Sequence, residues 1–271
     1  MASHLSSIGF PVQTEQDLYA LAEKIAQKAT PHEVDQGFYL SYQDPSGAAI
    51  WLHADKDRQI AGMNPHFVGP SIMTLKIVRS VHRDKDHAFD GAYFGWVAPE
   101  EEHDHQEGAY PLLFDAPDYR RYHQEKFPAT LPVQIAAFAH ELEVFASDEA
   151  WKQKNGDKSP IAAESFIPAG LFPADGRQES EAIPTAHALI SGHVLDAQKR
   201  TNQMTGKSFW WLQVQSYAAI YDVVVDPLLL RSDPKPGCVV KGSFWLSGVV
   251  LDQAEHKPQN GFLRLLRSRK P

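Results

Sequence analysis

The chain has 271 residues, 43% hydrophobic and 22% charged, so it can bury a core and is neither disordered nor collagen-like. A net charge of −8 argues against a general nucleic-acid or anionic-membrane binder. The single cysteine, Cys238, allows no internal disulfide and no cysteine zinc cage, and it fits a reducing cytoplasm.

The charge is uneven. Residues 81–180 hold 19 acidic against 9 basic side chains, which would complement a basic partner. The last third is mildly basic, through Arg264, Arg267, Arg269 and Lys270. The N-terminus has no basic stretch followed by an apolar core, and no run of about 18 apolar residues occurs. A cytoplasmic protein without a membrane partner is the expectation.

Residues 5–12 read as a first strand. A helix follows, with Thr14 and Asp17 as a capping box and Leu18, Leu21, Ala22 and Ile25 on one face. Pro31 is expected to end it. Residues 37–43 and 48–54 form a hairpin about the turn Asp44-Pro45-Ser46-Gly47, and residues 59–67 add a third strand. The first 67 residues therefore read β-α-β-β-β.

Residues 71–81, 88–97 and 110–114 read as strands, and 118–127 as a short helix. Ile135, Phe138, Leu142 and Phe145 recur at helical spacing, which predicts a long helix over 132–152. Prolines and a polar, turn-prone stretch put a domain boundary near 175–185. Beyond it the pattern is all-β: 188–196, 208–216, 219–226 and 238–251, with a link at 227–237. No internal repeat is legible. The expected class is α+β: a mixed domain with an antiparallel sheet over 1–180, then a small β-barrel over 186–271.

Two resemblances refine this. Ile190-Ser191-Gly192-His193-Val194 supplies a strand with a glycine bend. Residues 209–214 and 220–225 follow as strands, and Pro236-Gly237 opens a long one. This block resembles an OB-fold, whose strands bend at glycines to close a small barrel. The segment around Asp44-Pro45-Ser46-Gly47 in its β-α-β-β-β setting resembles half of a vicinal-oxygen-chelate (glyoxalase-like) protein. That likeness implies a divalent metal held by His and Glu. Here His4 stands at the edge of the opening strand, without a matching Glu.

The candidate chemistry is dispersed. His103 and His105 in the acidic loop 100–105 have ligand spacing for a divalent metal, although a solvated loop explains them as well. His82 and His87 flank a charged turn. His140 and Glu141 complete no His-Glu-x-x-His motif, and Cys238, a nucleophile only beside a His, sits next to Gly237 at a strand start, where a buried structural Cys is the commoner case. Trp210, Trp211, Tyr217, Tyr221, Phe244 and Trp245 form the richest aromatic group. Alternation sends Trp210 and Trp211 to opposite faces, so one is expected in the core and the other at a contact or base-stacking surface. His66, in the stiff loop 64–70, is placed to line a cleft.

The reading is a non-catalytic binding protein for a protein or small-molecule partner, with Trp210, Trp211, Tyr217, Tyr221, Trp245 and His66 as binding residues. No cofactor is required, although a divalent metal is compatible. The rivals are a glyoxalase- or dioxygenase-type metalloenzyme and single-strand nucleic-acid binding through the barrel and basic tail.

Overall fold

Ser3 and Ser6 exchange side-chain and backbone hydrogen bonds at 2.8–3.1 Å, and these close a 3-10 turn over Ser6–Ile8. Gly9 ends the turn in the left-handed region at φ 79°. The strand expected over 5–12 therefore does not form, because local serine bonds supply the backbone with an alternative to a ladder. Thr14 caps α1 (Glu15–Ala26) as expected: its hydroxyl accepts from the Asp17 amide at 3.1 Å, and Asp17 accepts from the Thr14 amide at 2.9 Å. The computed structural model describes residues 3–84, 86–99, 108–156, 162–171 and 183–251.

Four strands follow: β1 (Thr30–Val34), β2 (Gly37–Gln43), β3 (Ala48–Asp55) and β4 (Ile60–Phe67), in one antiparallel sheet in sequence order. Pro31 lies inside the edge strand β1, where its missing N–H costs least. The Asp44 carboxylate caps the β2–β3 turn through Ser46 and also accepts from the amides of Gln203 and Met204. One side chain thus ties together two hairpins more than 150 residues apart.

The remaining strands are β5 (Ile72–Val81), β6 (Ala92–Val97), β7 (Tyr110–Asp115), β8 (Ala129–Phe145), β9 (Ser165–Ile167), β10 (His187–Thr201), β11 (Ser208–Ser216), β12 (Ala219–Val225) and β13 (Val239–Val250). They form one nine-stranded sheet, so the class is α+β with strands dominant. A second helix, α2 (Asp148–Asn155), follows β8. Between 118 and 127 only Tyr119–Arg121 is helical, as one 3-10 turn.

The helix expected over 132–152 is instead mostly the strand β8. Val133, Ile135, Ala137 and Ala139 face one apolar cluster, while Ala136 and Phe138 face another. A strand buried on both sides carries apolar residues at every register, and helical spacing then arises by coincidence.

β8 and β13 run antiparallel from Val239↔Phe145 to Val250↔Val133, and this ribbon belongs to two closed rings. In one ring the order is β10–β11–β12–β8–β13 and back to β10. In the other it is β5–β6–β7–β13–β8 and back to β5. Each ring has one parallel pair, β12–β8 and β7–β13 respectively. Ala136 pairs with Ser247 across the ribbon; Ala136 also pairs with Asp222 of β12, and Ser247 with Asp115 of β7. The two rings are thus related by a local two-fold in topology, a repeat that the sequence does not display.

The strands on either side of the expected 175–185 boundary hydrogen-bond to each other through this ribbon, so the described strands after residue 186 share one sheet with β5–β9. One apolar cluster runs through both rings. A second joins their outer face to α1 and the four-stranded sheet through Ile25, Ile50, Leu52, Phe67, Phe138 and Trp211. Among the described residues, no helix is long and apolar enough to cross a membrane.

Candidate functional site

Four polar residues interrupt apolar stretches: Ser71, Gln134 in β8, Asp222 in β12 and Ser247 in β13. The fold brings them together with His66 of β4, and all five are buried. His66 Nε2 lies 2.8 Å from Gln134 Oε1, and His66 Nδ1 lies 2.9 Å from Ser247 Oγ. Gln134 donates its Nε2–H to Asp222 at 3.0 Å. Asp222 accepts three further hydrogen bonds, from Trp211 Nε1 at 2.9 Å, from the Ser71 amide at 2.9 Å and from the Ser71 hydroxyl at 3.1 Å.

Because the Gln134 amide nitrogen donates to the carboxylate, its oxygen faces His66 and accepts, which sets the tautomer: Nε2 carries the proton and Nδ1 accepts from Ser247. Burial holds His66 down at about 4, so the ring is neutral near pH 7. Burial also raises Asp222, against the pull of its four donors. Ser247 and His66 are spaced like a nucleophile and its base, but both are enclosed, and a nucleophile needs a path to substrate. What the chain of bonds does is give each of these five buried side chains a hydrogen-bond partner where the four-stranded sheet meets both rings.

This network reaches a cleft through Ser71. Ser71 forms part of a cleft of about 980 Å³ between the two rings, with Thr74, Lys76 and Thr130 on one side and Gln213 and Gln215 on the other. Gln213 donates to Ser71 Oγ at 3.3 Å, linking the cleft lining to Asp222. The lining is mainly hydrogen-bonding, and Lys76 is its one charged side chain among the described residues. Ala98 (φ 46°) and Ala218 (φ 55°) line it too, and they are two of the three described non-glycine residues with left-handed backbone. Such conformations cost on the order of 1 kcal/mol each and collect at binding sites.

The expected binding residues are distributed as follows. His66 and Trp211 meet through Gln134 and Asp222. Trp210 and Trp211 do face opposite sides of β11, but both are buried, because the four-stranded sheet and α1 cover the face assumed to be open. Tyr221 is fully buried, with its hydroxyl 2.7 Å from that of Tyr110. Trp245 donates to Asp115 at 2.6 Å and stacks on His4 at 4.3 Å. Tyr217 alone of the group is largely exposed. His103, His105 and the basic tail lie outside the described residues. His87 stacks on Phe89, and His82 meets the Asp90 carbonyl at 3.1 Å. Cys238 is buried and unpaired.

Asp222, Gln134, Ser247 and Ser71 escaped the sequence reading. Their signal was present: a lone polar residue inside an apolar strand must find a partner when the strand is buried. Among the described residues, no group of three or more His, Cys, Asp or Glu side chains is arranged to hold a metal ion. No family model matches this chain, and no curated protein or solved structure is significantly similar to it.

Proposed function

We propose that the protein is a non-catalytic binding protein that takes a small polar molecule in the cleft between its two strand rings. The observation that carries this reading is the cleft itself: about 980 Å³, with a hydrogen-bonding lining that reaches the buried Asp222 through Ser71. Pockets of this size suit small-molecule ligands, and convergent polar groups fix their orientation. The enclosed Ser247–His66 pair supports binding over bond-making, since its hydroxyl is sealed from substrate.

The ring β10–β11–β12–β8–β13 is read as an OB-like barrel. Its support is the pairing order, the single parallel pair β12–β8, and the 3-10 turn Pro227–Leu229 between β12 and β13. On this reading the fifth strand, β8, comes from earlier in the chain. The buried, unpaired Cys238 supports a cytoplasmic setting.

Thermal-shift screening against small polar metabolites tests the function. Thr74 is exposed on β5, so Thr74→Trp fills the cleft without entering the core. A compound that raises the wild-type Tm but not that of Thr74→Trp is expected. Turnover of a screened compound by the wild type, or a shift that survives Thr74→Trp unchanged, overturns the reading.

A further inference from the structure

The two walls of the cleft between the rings differ in chemistry. On β5, alternation turns Ile72, Thr74 and Lys76 to one face, and Thr130 of β8 stands beside Lys76 in register. Gln213 and Gln215 share one face of β11 by the same alternation. Their partners fix the orientation of both amides. Asp222 accepts, so the Ser71 hydroxyl donates to it and accepts from the Gln213 Nε2–H at 3.3 Å. Gln215 donates its Nε2–H to the Ser216 carbonyl at 2.8 Å. Each amide nitrogen is thereby anchored, and neither Oε1 receives a donor among the described residues. On the facing wall the Lys76 ammonium has no ion-pair or hydrogen-bond partner among the described residues, and the described lining contains no carboxylate.

Building on the cleft as the proposed ligand site, we infer that its occupant is a small polyhydroxylated carboxylate of the sugar-acid class, with its carboxylate on Lys76 and its hydroxyls donating to Gln213 and Gln215. A carboxylate carries one negative charge, which one lysine matches, whereas a phosphate dianion carries more than this single cation offsets. Amide oxygens are neutral acceptors. They suit ligand hydroxyls, while a ligand ammonium calls for a carboxylate that the described lining lacks. Asp222 lies behind Ser71 and disfavours a second anion at the glutamine wall, which leaves the lysine wall for the ligand's charge. The Thr74 and Thr130 hydroxyls donate or accept as the ligand requires. With a net charge of −8 the molecule as a whole repels anions, so selectivity for an acid over its neutral counterpart reports the local lysine.

The test is calorimetric titration of the full chain with matched compounds: D-gluconate against D-glucitol, D-glucuronate against D-glucose, and hexanoate as a carboxylate without hydroxyls. At least one sugar acid should bind about tenfold more tightly than both its neutral partner and hexanoate, the factor that one charge-assisted contact supplies. Lys76→Gln should bring that acid within about twofold of its neutral partner, and Gln215→Leu should weaken it severalfold. Thermal unfolding of each variant reports its fold, and Lys76 and Gln215 give independent readings. Neutral sugars that bind as tightly as the acids, hexanoate that binds as tightly as they do, or an acid preference that survives Lys76→Gln overturns the inference and leaves the cleft as a ligand site. Acid binding unaltered by Thr74→Trp overturns both. No saturation by either acid below about 10 mM overturns the inference alone, and the metabolite screen with Thr74→Trp then judges the wider reading.

Discussion

Nε2 of His66 in β4 lies 2.8 Å from Oε1 of Gln134 in β8, and this contact joins the four-stranded sheet to the ribbon shared by both rings. Burial, against the pull of the Gln134 bond, keeps His66 neutral, so protonation and folding are linked at this residue.

The sign follows from the two protonation equilibria. His66 takes up its proton at about 4 when folded and near the ordinary 6.5 when unfolded. Below pH 6.5 the unfolded chain binds a proton that the folded chain refuses. The stability present above pH 6.5 is therefore lost as pH falls toward 4, by about 3 kcal/mol from this group. Urea unfolding of wild type and His66→Gln between pH 4 and 7.5 checks this. The wild type should lose more stability over that interval than the variant, and parallel curves would contradict the assignment.

Asp222→Ala removes the acceptor of four hydrogen bonds and leaves the Trp211 indole N–H and the Gln134 amide without that partner in an enclosed site. A loss on the order of 3 kcal/mol is expected, by the cost of stranding buried donors. Denaturant titration reads the size of the loss. A change within 0.5 kcal/mol, roughly the range of a surface substitution, would show that the network is dispensable.

Asp44→Ala unties the β2–β3 turn from Gln203 and Met204. Burial alone would raise this carboxyl, but bonds from Ser46, Gln203 and Met204 bring it below its usual range, so it is ionised at neutral pH. Loss of these bonds should cost about 2 kcal/mol. Hydrogen exchange should quicken at the amides of both residue 46 and residues 203–204. Faster exchange at residue 46 alone would show that the two hairpins are not coupled.

Gly192→Ala places a methyl group against the Gln215 carbonyl and the Val214 side chain, within the β10–β11 pair. Backbone cannot yield as a flexible side chain does, so about 2 kcal/mol or more of destabilisation is expected. Thermal denaturation checks this. An unchanged Tm would mean that the bend at Gly192 needs no such close approach.

Much of the local structure was legible in the residues. Thr14 and Asp17 define the helix start by reciprocal hydrogen bonds, and Asp44 to Gly47 define a turn; neither depends on distant chain. The strands after residue 186 were legible too, because β-branched and aromatic runs between turn residues have few other uses. β8 was not legible. Its apolar residues serve two cores at once, and which neighbours cover a strand is not written in its own sequence. Misreading it hid the ring closure, the two-fold relation and Gln134 together.

The candidate site divides in the same way. Residue chemistry by itself singled out His66 and the aromatic group as candidates and determined that a single cysteine can build no cage. Tertiary structure alone decided that Trp211 and Tyr221 are buried, that His66 meets Gln134 and Ser247, and that His4 faces His140 across 136 positions. The physical reason is range. Caps and turns are settled by bonds between near neighbours, whereas burial and side-chain convergence depend on strands brought together only when the rings close.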